Sequence, residues 1–366
     1  MAKTIIIAAG GTGGHIFPGL AVADELIANG YKVVWIGTVH GLEATLIPKY
    51  NIDIYYIKIT GIRGKNLVTK ILAPFNILFA IFQSIKILYN LNPYAILGMG
   101  GFVTGPVGVA SWLLKKKLII HEQNAIAGTS NRILAYFANN VLESFPNSFT
   151  KKNHHKIILT GNPVRKNLLG YKLPENIIIT KERKFNILIL GGSRGAKFLN
   201  QIVPEAIGEL ANVRIIHQTG EQDFAATHEL YVKKNIHITH EIKPFIDNML
   251  DAYSVADLVI CRAGASTIFE IMAIGVASIL VPLPWAIDDH QTKNALYLAN
   301  NNAAILIKQS DLVITKLQSI VLDLMANNNK LYAIKSAART LYKPYELNNS
   351  TNYISAIVCG IQSSAC

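Results

Sequence analysis

Three glycine-rich turns follow apolar runs in this chain: GGTGGH (Gly10–His15), GMGGFVTGP (Gly98–Pro106) and GGSRGA (Gly191–Ala196). Glycine lets a backbone come close to an oxyanion, and a helix start just behind it adds unpaired N–H groups and a partial positive charge. One such turn serves equally well for tight strand–helix packing. Three in one chain point to a phosphate-rich ligand, either two anions or one lying in a cleft. None of them fits GxGxxG or a Walker loop.

Side chains with acid–base or hydrogen-bonding capacity sit beside these turns. His15 follows Gly14 at a helix start, where a cationic imidazole is disfavoured and a neutral one can accept a proton. A polar cap is the structural alternative. HEQN places His121, Glu122 and Asn124 at another strand end, as catalytic groups or as a loop hydrogen-bond network. In the second half, CRAGASTIFE (261–270) puts a turn at Gly264–Thr267 ahead of Glu270, whose carboxylate can accept from a ribose diol or form a surface ion pair. DDHQTKNA (288–295) offers Gln291 and Asn294 to sugar hydroxyls, and Asp288 as an N-cap. Arg165 and Arg194 are the cations placed to help amides neutralise a leaving phosphate. There is no DxD, HExxH or metal-spaced His/Cys cluster, so no cofactor and no metal are expected. No GxSxG elbow supports a serine hydrolase.

The elements that must hold these groups alternate. TIIIAA (4–9), KVVWIG (32–37), IDIYYI (52–57), YAILGM (94–99) and KLIIHE (117–122) read as buried strands, with helical segments between them; the first helix is expected from about Pro18 to Asn29. Fully apolar strands at this spacing predict a parallel sheet covered on both faces. The pattern restarts at FNILILGG (185–192) and continues through VRIIHQ, NIHITH, ADLVIC, ASILVP and AAILIK. Two doubly wound domains in tandem follow, 1–168 and 169–366, with the last helix able to pack back on the first. A length of 366 residues accommodates both cores. Cys261, Cys359 and Cys366 are too few and too scattered for a disulfide framework, and MAKTIIIAAGG is too short an apolar run for a signal peptide.

Charge separates the halves. Residues 1–160 carry 15 Lys and Arg against 6 Asp and Glu, residues 161–366 carry 20 against 17, and no acidic residue lies between Asp53 and Glu122. That stretch contains ILAPFNILFAIFQSIKILYNL (71–91), either a buried core helix or an interfacial helix with Phe75, Leu78, Phe79 and Phe82 on an apolar face flanked by Lys65, Lys70 and Lys86. The acid-free surroundings favour the second. An anionic membrane surface is the expected partner. Nucleic acid is not, for want of interleaved basic and aromatic residues.

In their order, AAGGTGGHIFPGLAVADEL (8–26), GIRGK (61–65), LGMGGFVTGP (97–106), HEQNAIAG (121–128), GNPVR (161–165), GGSRGA (191–196), FIDNM (245–249) and CRAGASTIFE (261–270) resemble the MurG family. These are bacterial N-acetylglucosaminyltransferases that convert lipid I to lipid II. The resemblance spans about residues 4–300. It implies a GT-B fold, two Rossmann-like domains facing across a cleft, with the first taking the lipid acceptor and the membrane and the second taking UDP-N-acetylglucosamine. By the matching positions, Ser193 and Arg165 meet the diphosphate and the Ile246 backbone meets the uracil. Ala265, Ser266, Thr267, Ile268 and Phe269 belong to the donor turn, and Glu270 holds the ribose. Gln291 and Asn124 hold the sugar, and Thr12, Gly13 and Gly14 border the donor. Gly100, Gly101, Thr104 and His121 are assigned to the acceptor diphosphate, and His15, with Glu122 second, to the general base. Phe102 stands where the family commonly has tyrosine, and Arg194 where it often has glutamine.

The expectation is therefore an inverting, metal-independent transfer at the cytoplasmic face of the bacterial inner membrane, to which the protein is peripheral. A UDP-N-acetylglucosamine 2-epimerase on the same scaffold and a non-enzymatic membrane-surface scaffold are the alternatives.

Overall fold

The computed structural model describes residues 2–61, 67–149, 156–171, 183–191, 196–233, 236, 239–346 and 349–361. The chain divides into two compact units, residues 1–164 with 347–366, and residues 165–346. The break falls a few residues before the expected 168/169. The second unit ends at Glu346 instead of running to the end of the chain, because the last helix belongs to the first core.

The first unit runs β1 (Thr4–Ala9), α1 (Gly13–Ala28), β2 (Lys32–Gly37), α2 (Leu42–Leu46), β3 (Asp53–Tyr56), α3 (Leu67–Leu91), β4 (Ala95–Gly100), α4 (Thr104–Leu113), β5 (Lys117–Glu122), α5 (Thr129–Leu134), β6 (Asn140–Glu143) and β7 (Ile157–Leu159). Its strands form one parallel sheet in the order β3-β2-β1-β4-β5-β6-β7. Alternation along each strand builds two cores. Ile5, Ile7, Trp35, Leu97 and Ile119 face one layer, and Ile6, Ala8, Ile36, Ile96 and Ile120 face the other. A strand that is apolar on both faces needs cover on both, and the helices supply it. The Trp35 indole N–H donates to Ala9 O (2.9 Å), tying β2 to the end of β1 just before the first glycine turn.

Helix α1 begins at Gly13, five residues before Pro18, which lies inside it. Proline favours a helix start, which is why the sequence suggested one there. The structure instead makes Gly13, Gly14 and His15 the first turn.

Helix α3 is buried along a narrow stripe only. Ala80, Ser84 and Leu88 are enclosed, whereas Ile71, Phe75, Leu78, Phe79, Phe82 and Tyr89 are exposed, Phe82 by 75%. Lys65 lies outside the described residues, as does the Lys70 side chain. Trp112 and Leu113 at the end of α4 are also exposed, Trp112 with its ring centroid 5.0 Å from that of Phe137. Lys117, one of three consecutive lysines, is not a free surface cation. Its Nζ donates to Ile357 O (3.0 Å) and Val358 O (3.2 Å).

The second unit runs β8 (Phe185–Leu190), α6 (Lys197–Ile207), β9 (Val213–Gln218), α7 (Phe224–Lys233), β10 (Thr239–Lys243), α8 (Met249–Val255), β11 (Leu258–Cys261), α9 (Ala265–Ile274), β12 (Ala277–Leu280), α10 (His290–Ala299), β13 (Ile305–Leu306), α11 (Ile314–Ala326) and α12 (Asn328–Glu346). Its parallel sheet has the order β10-β9-β8-β11-β12-β13. Strand β10 continues past the end of NIHITH to Lys243. Helix α13 (Ser350–Cys359) returns to the first unit, where Ile354 and Val358 join the core of Ile5, Leu26 and Trp35. Both doubly wound domains expected from the sequence are present.

Candidate active site

In the first unit the site gathers at the carboxyl ends of β1, β4 and β5, where doubly wound sheets bind ligands. Thr12 caps α1 through its carbonyl, which accepts from His15 N (3.1 Å) and Ile16 N (3.3 Å), and its side chain makes no capping bond. Thr12 and Gly14 are exposed, and the first-turn amides of Gly13 and Gly14 precede any intrahelical acceptor. Beneath the turn lies a residue the sequence did not suggest. The Glu43 carboxylate is fully buried and accepts from Gly11 N (3.2 Å), Thr38 N (2.9 Å) and Thr38 Oγ1 (2.8 Å). One amide of the GGTGG turn is thus already held by a protein anion.

The second turn is built for close approach. Gly101 has φ +80°, and a Cβ there would stand 2.3 Å from Gly10 O, so the two turns cross at glycine. Gly100 has φ +101°, and a Cβ there would stand 2.7 Å from His15 Nδ1. The Gly100 amide donates to Thr104 Oγ1 (3.0 Å), which also lies 2.9 Å from Ala8 O and 2.8 Å from Gly100 O. Thr104 is fully buried and its hydroxyl is committed to backbone, so the acceptor-diphosphate role expected for it is corrected to a structural one. Phe102 covers Gly11, with a ring carbon 3.2 Å from where a Cβ would stand.

HEQN divides into separate tasks. His121 is buried, with Nε2 3.0 Å from Gly161 O, and cannot touch an acceptor diphosphate. Burial pushes its imidazole down to about 4, against smaller opposing contributions from Gly161 and Glu122. Glu122 points away from His15. Its Oε1 accepts from Asn124 N (3.0 Å) and Nδ2 (3.1 Å), and its Oε2 accepts from Gly128 N (3.0 Å) and Asn131 Nδ2 (3.0 Å). A carboxylate that is 2% exposed and takes four donors organises the loop after β5; it is not a second base. Glu122→Gln is accordingly expected to cost about 2–4 kcal/mol of stability, since amide hydrogens would oppose N–H donors. Thermal unfolding should fall by several degrees with kcat at 25 °C within a few-fold. An unchanged melt with a hundredfold loss of kcat would make Glu122 catalytic after all.

His15 is partly exposed. Its Nδ1 lies 2.8 Å from Gln123 Oε1, a partner absent from the sequence expectations.

The second unit has its own constellation at α9. Gly264 precedes the helix in extended geometry, and the Ser266 hydroxyl at the first turn is buried with no hydrogen-bond partner. An orphaned hydroxyl beside first-turn amides suits an anionic oxygen. Ile268 and Phe269 are core side chains, Phe269 packed edge-on against Tyr345 (5.3 Å between centroids), so only their backbone remains for a ligand. Glu270 is buried within reach of two donors, Arg165 Nε (3.1 Å to Oε1) and Tyr253 OH (3.0 Å to Oε2). Burial pushes the Glu270 carboxyl above the usual range, and Arg165 and Tyr253 oppose that. Arg165 is thus an ion-pair partner of Glu270. Ile246 N donates to Gln218 Oε1 (3.0 Å), which leaves its carbonyl to meet a base. Gln291 Oε1 accepts from Leu283 N (2.9 Å), and the buried Asn294 Nδ2 donates to Ala263 O (3.1 Å), so Asn294 braces α10 instead of binding sugar. Asp288 is not the N-cap of α10. That position is Asp289, and both residues have φ near +54°. Cys261 is buried and its thiol is pushed up to about 12, which removes it as a nucleophile. Ser193 and Arg194 lie outside the described residues.

Residues 5–143 match the glycosyltransferase family 28 N-terminal domain and residues 186–347 its C-terminal domain. The chain is 42% identical over 368 residues to the UDP-N-acetylglucosamine–N-acetylmuramyl-(pentapeptide) pyrophosphoryl-undecaprenol N-acetylglucosamine transferase of Paraburkholderia xenovorans, covering 99% of this chain and 97% of that one. It is 45% identical over 347 residues to the protein of the same name from Cellvibrio japonicus, covering 93% and 94%. This chain belongs to the MurG family. The crystal structure of Acinetobacter baumannii MurG superposes with a TM-score of 0.81 at 39% identity, covering 98% of this chain and all of that one. Membership of MurG and of family 28 makes the molecule a glycosyltransferase of the two-domain GT-B class. The helix starts of α1 and α9 are the features of this MurG-family chain suited to anionic groups.

Proposed function

We infer that this protein transfers N-acetylglucosamine from UDP-N-acetylglucosamine to the C4 hydroxyl of lipid I, giving lipid II. The observation that carries this is identity of 42–45% over nearly the whole chain to transferases named for those substrates. In the chemistry proposed, the acceptor O4 attacks the anomeric carbon and the bond to the β-phosphate oxygen breaks with inversion. The electron pair leaves with UDP, and His15 takes the hydroxyl proton. First-turn amides of α9 meet the charge on the leaving diphosphate, and Glu270 accepts from the ribose diol. The transfer is proposed to need no metal ion, protein dipoles stabilising the leaving diphosphate. The test is transfer from labelled UDP-N-acetylglucosamine to a lipid I analogue, with and without chelator. Lipid II analogue formed equally in both is the expected result. Absolute dependence on a divalent ion, or epimerised donor without acceptor, would overturn it.

The acceptor carries a lipid, and α3 supplies a surface for one. Ile71–Leu91 is long and apolar enough to cross a membrane by length and composition. One face packs on the first core through Ala80 and Leu88, so the helix is proposed to lie in the interface with Phe75, Leu78, Phe79 and Phe82 inserted among lipids and Lys86 and Lys115 near the headgroups. The inner leaflet is the proposed location. Full burial of one phenylalanine is worth about 1.5–3 kcal/mol. Phe75→Ser with Phe82→Ser is thus expected to lower flotation with anionic vesicles at least tenfold, with an unchanged thermal melt. Equal flotation of both proteins would remove α3 from the interface.

A further inference from the structure

His15 ends a hydrogen-bonded chain that runs into the buried part of the first unit. His15 Nδ1 lies 2.8 Å from Gln123 Oε1, Gln123 Nε2 lies 3.0 Å from His121 Nδ1, and His121 Nε2 lies 3.0 Å from Gly161 O. The proton positions follow from the inner end. A carbonyl oxygen only accepts, so His121 Nε2 carries hydrogen; the other tautomer would set a lone pair against Gly161 O. His121 is fully buried, with its imidazole held down to about 4, and is therefore neutral near pH 7, with a bare Nδ1. A bare nitrogen needs a donor, so the Gln123 amide turns its NH2 toward His121 and its oxygen toward His15. That oxygen only accepts, so His15 Nδ1 must carry hydrogen. In the neutral form of the His15 imidazole that is its one N–H, which leaves Nε2 bare.

We propose that Gln123 and His121 form a tautomer lock, positioning residues that hold His15 as the Nδ1–H form and so present Nε2 as the proton acceptor of the transfer. The proposal rests on His15 being the base. It assigns functions to two residues outside substrate reach: His121 as the fixed end of the chain and Gln123 as its coupling. Three surrounding features support the lock. Gly100 is a glycine where any Cβ would collide with His15 Nδ1 at 2.7 Å and touch Gln123 Oε1 at 3.4 Å. Ser144 Oγ lies 3.3 Å from Gly161 O and 3.4 Å from His121 Nε2; with its hydroxyl donating to Gly161 O, its oxygen faces the His121 N–H and leaves that proton where it is. Glu122, the neighbouring carboxylate, is turned to the opposite side by its four donors and does not compete for His121. In an ordinary serine-hydrolase triad a carboxylate orients the imidazole. A neutral amide orients without adding charge, and suits a site that must receive a diphosphate.

The decisive measurement is the tautomer itself. Full-length protein labelled with 15N in histidine is examined near pH 7 by long-range 1H–15N correlation, with the His15→Ala spectrum assigning the His15 signals. The wild type is expected to show His15 protonated at Nδ1 and bare at Nε2. Gln123→Met removes the acceptor and is expected to give a mixture or the Nε2–H form, with kcat lowered about tenfold or more and donor KM within about twofold. Gln123→Glu keeps an oxygen facing His15 and is expected to restore the Nδ1–H form, while withdrawing the donor from His121 Nδ1. Wild-type His15 protonated at Nε2, or a Gln123→Met spectrum with the Nδ1–H form intact, overturns the lock. If His15→Ala keeps full kcat, the base assignment fails whatever the tautomer proves to be, so the two failures are distinguishable.

Discussion

His15→Ala is expected to lower kcat for transfer by about 10²–10⁴-fold, the usual contribution of a positioned general base, with donor binding within about twofold. The imidazole sits in the first turn of α1, partly exposed, with one nitrogen engaged by Gln123 and the other free to meet a hydroxyl. Glu122, the second candidate base in the sequence, has both carboxylate oxygens filled by Asn124, Gly128 and Asn131. Substrate-saturated rates report the chemical step, and UDP displacement titrations report the donor. A mutant that lost affinity alone, with kcat intact at saturation, would make His15 a binding group. His15→Gln is the companion variant, because it preserves a polar contact at the position while offering no comparable base; it should be nearly as slow as alanine.

Glu270→Ala is expected to raise donor KM by about 10–100-fold, with kcat at saturating donor changed only a few-fold. Hydrogen bonds to a charged acceptor are worth about 1.5–3 kcal/mol, and this carboxylate is where the ribose diol is proposed to bind. Removing it also strips Arg165 of its ion pair and leaves the buried Tyr253 hydroxyl without its acceptor. Tyr253→Phe separates these effects. It deletes one donor to Glu270 but keeps the charge and the Arg165 pair, and should raise KM by about fivefold or less. A donor KM unmoved in Glu270→Ala, with a lowered melting temperature, would reduce Glu270 to a fold-stabilising group.

The sheets were legible because their central strands are apolar on both faces. TIIIAA and FNILIL could be nothing but buried parallel strands once helical patterns followed each. Strands β6 and β7 were not: β6 is four residues long with Asn140 and Glu143 at its ends, and β7 has only three residues. Pro18 misled because a proline at a helix start and a proline one turn further in look alike without coordinates. Within the site, His15 and Glu270 stood out by position relative to a turn. Their partners, and the carboxylate under the first turn, did not: Gln123 lies 108 residues from His15, Tyr253 lies 17 from Glu270, and Glu43 lies 32 from Gly11. Contacts at such separations leave no periodicity to read. The same blindness made Thr104 and His121 look like ligands, since a buried hydroxyl or imidazole serving backbone has the same letters as an exposed one serving phosphate.

Helix α13 lays Ile354 and Val358 on the core formed by Ile5, Leu26 and Trp35, and Lys117 and Tyr94 clasp its last carbonyls. The first domain therefore needs residues that the ribosome makes only after the whole of 165–346 has been made. At common elongation rates that is a wait of roughly 10–40 s, during which one side of the nascent sheet lacks its final cover. The domain begun first is finished last, and the interval is when a chaperone would find apolar surface to hold.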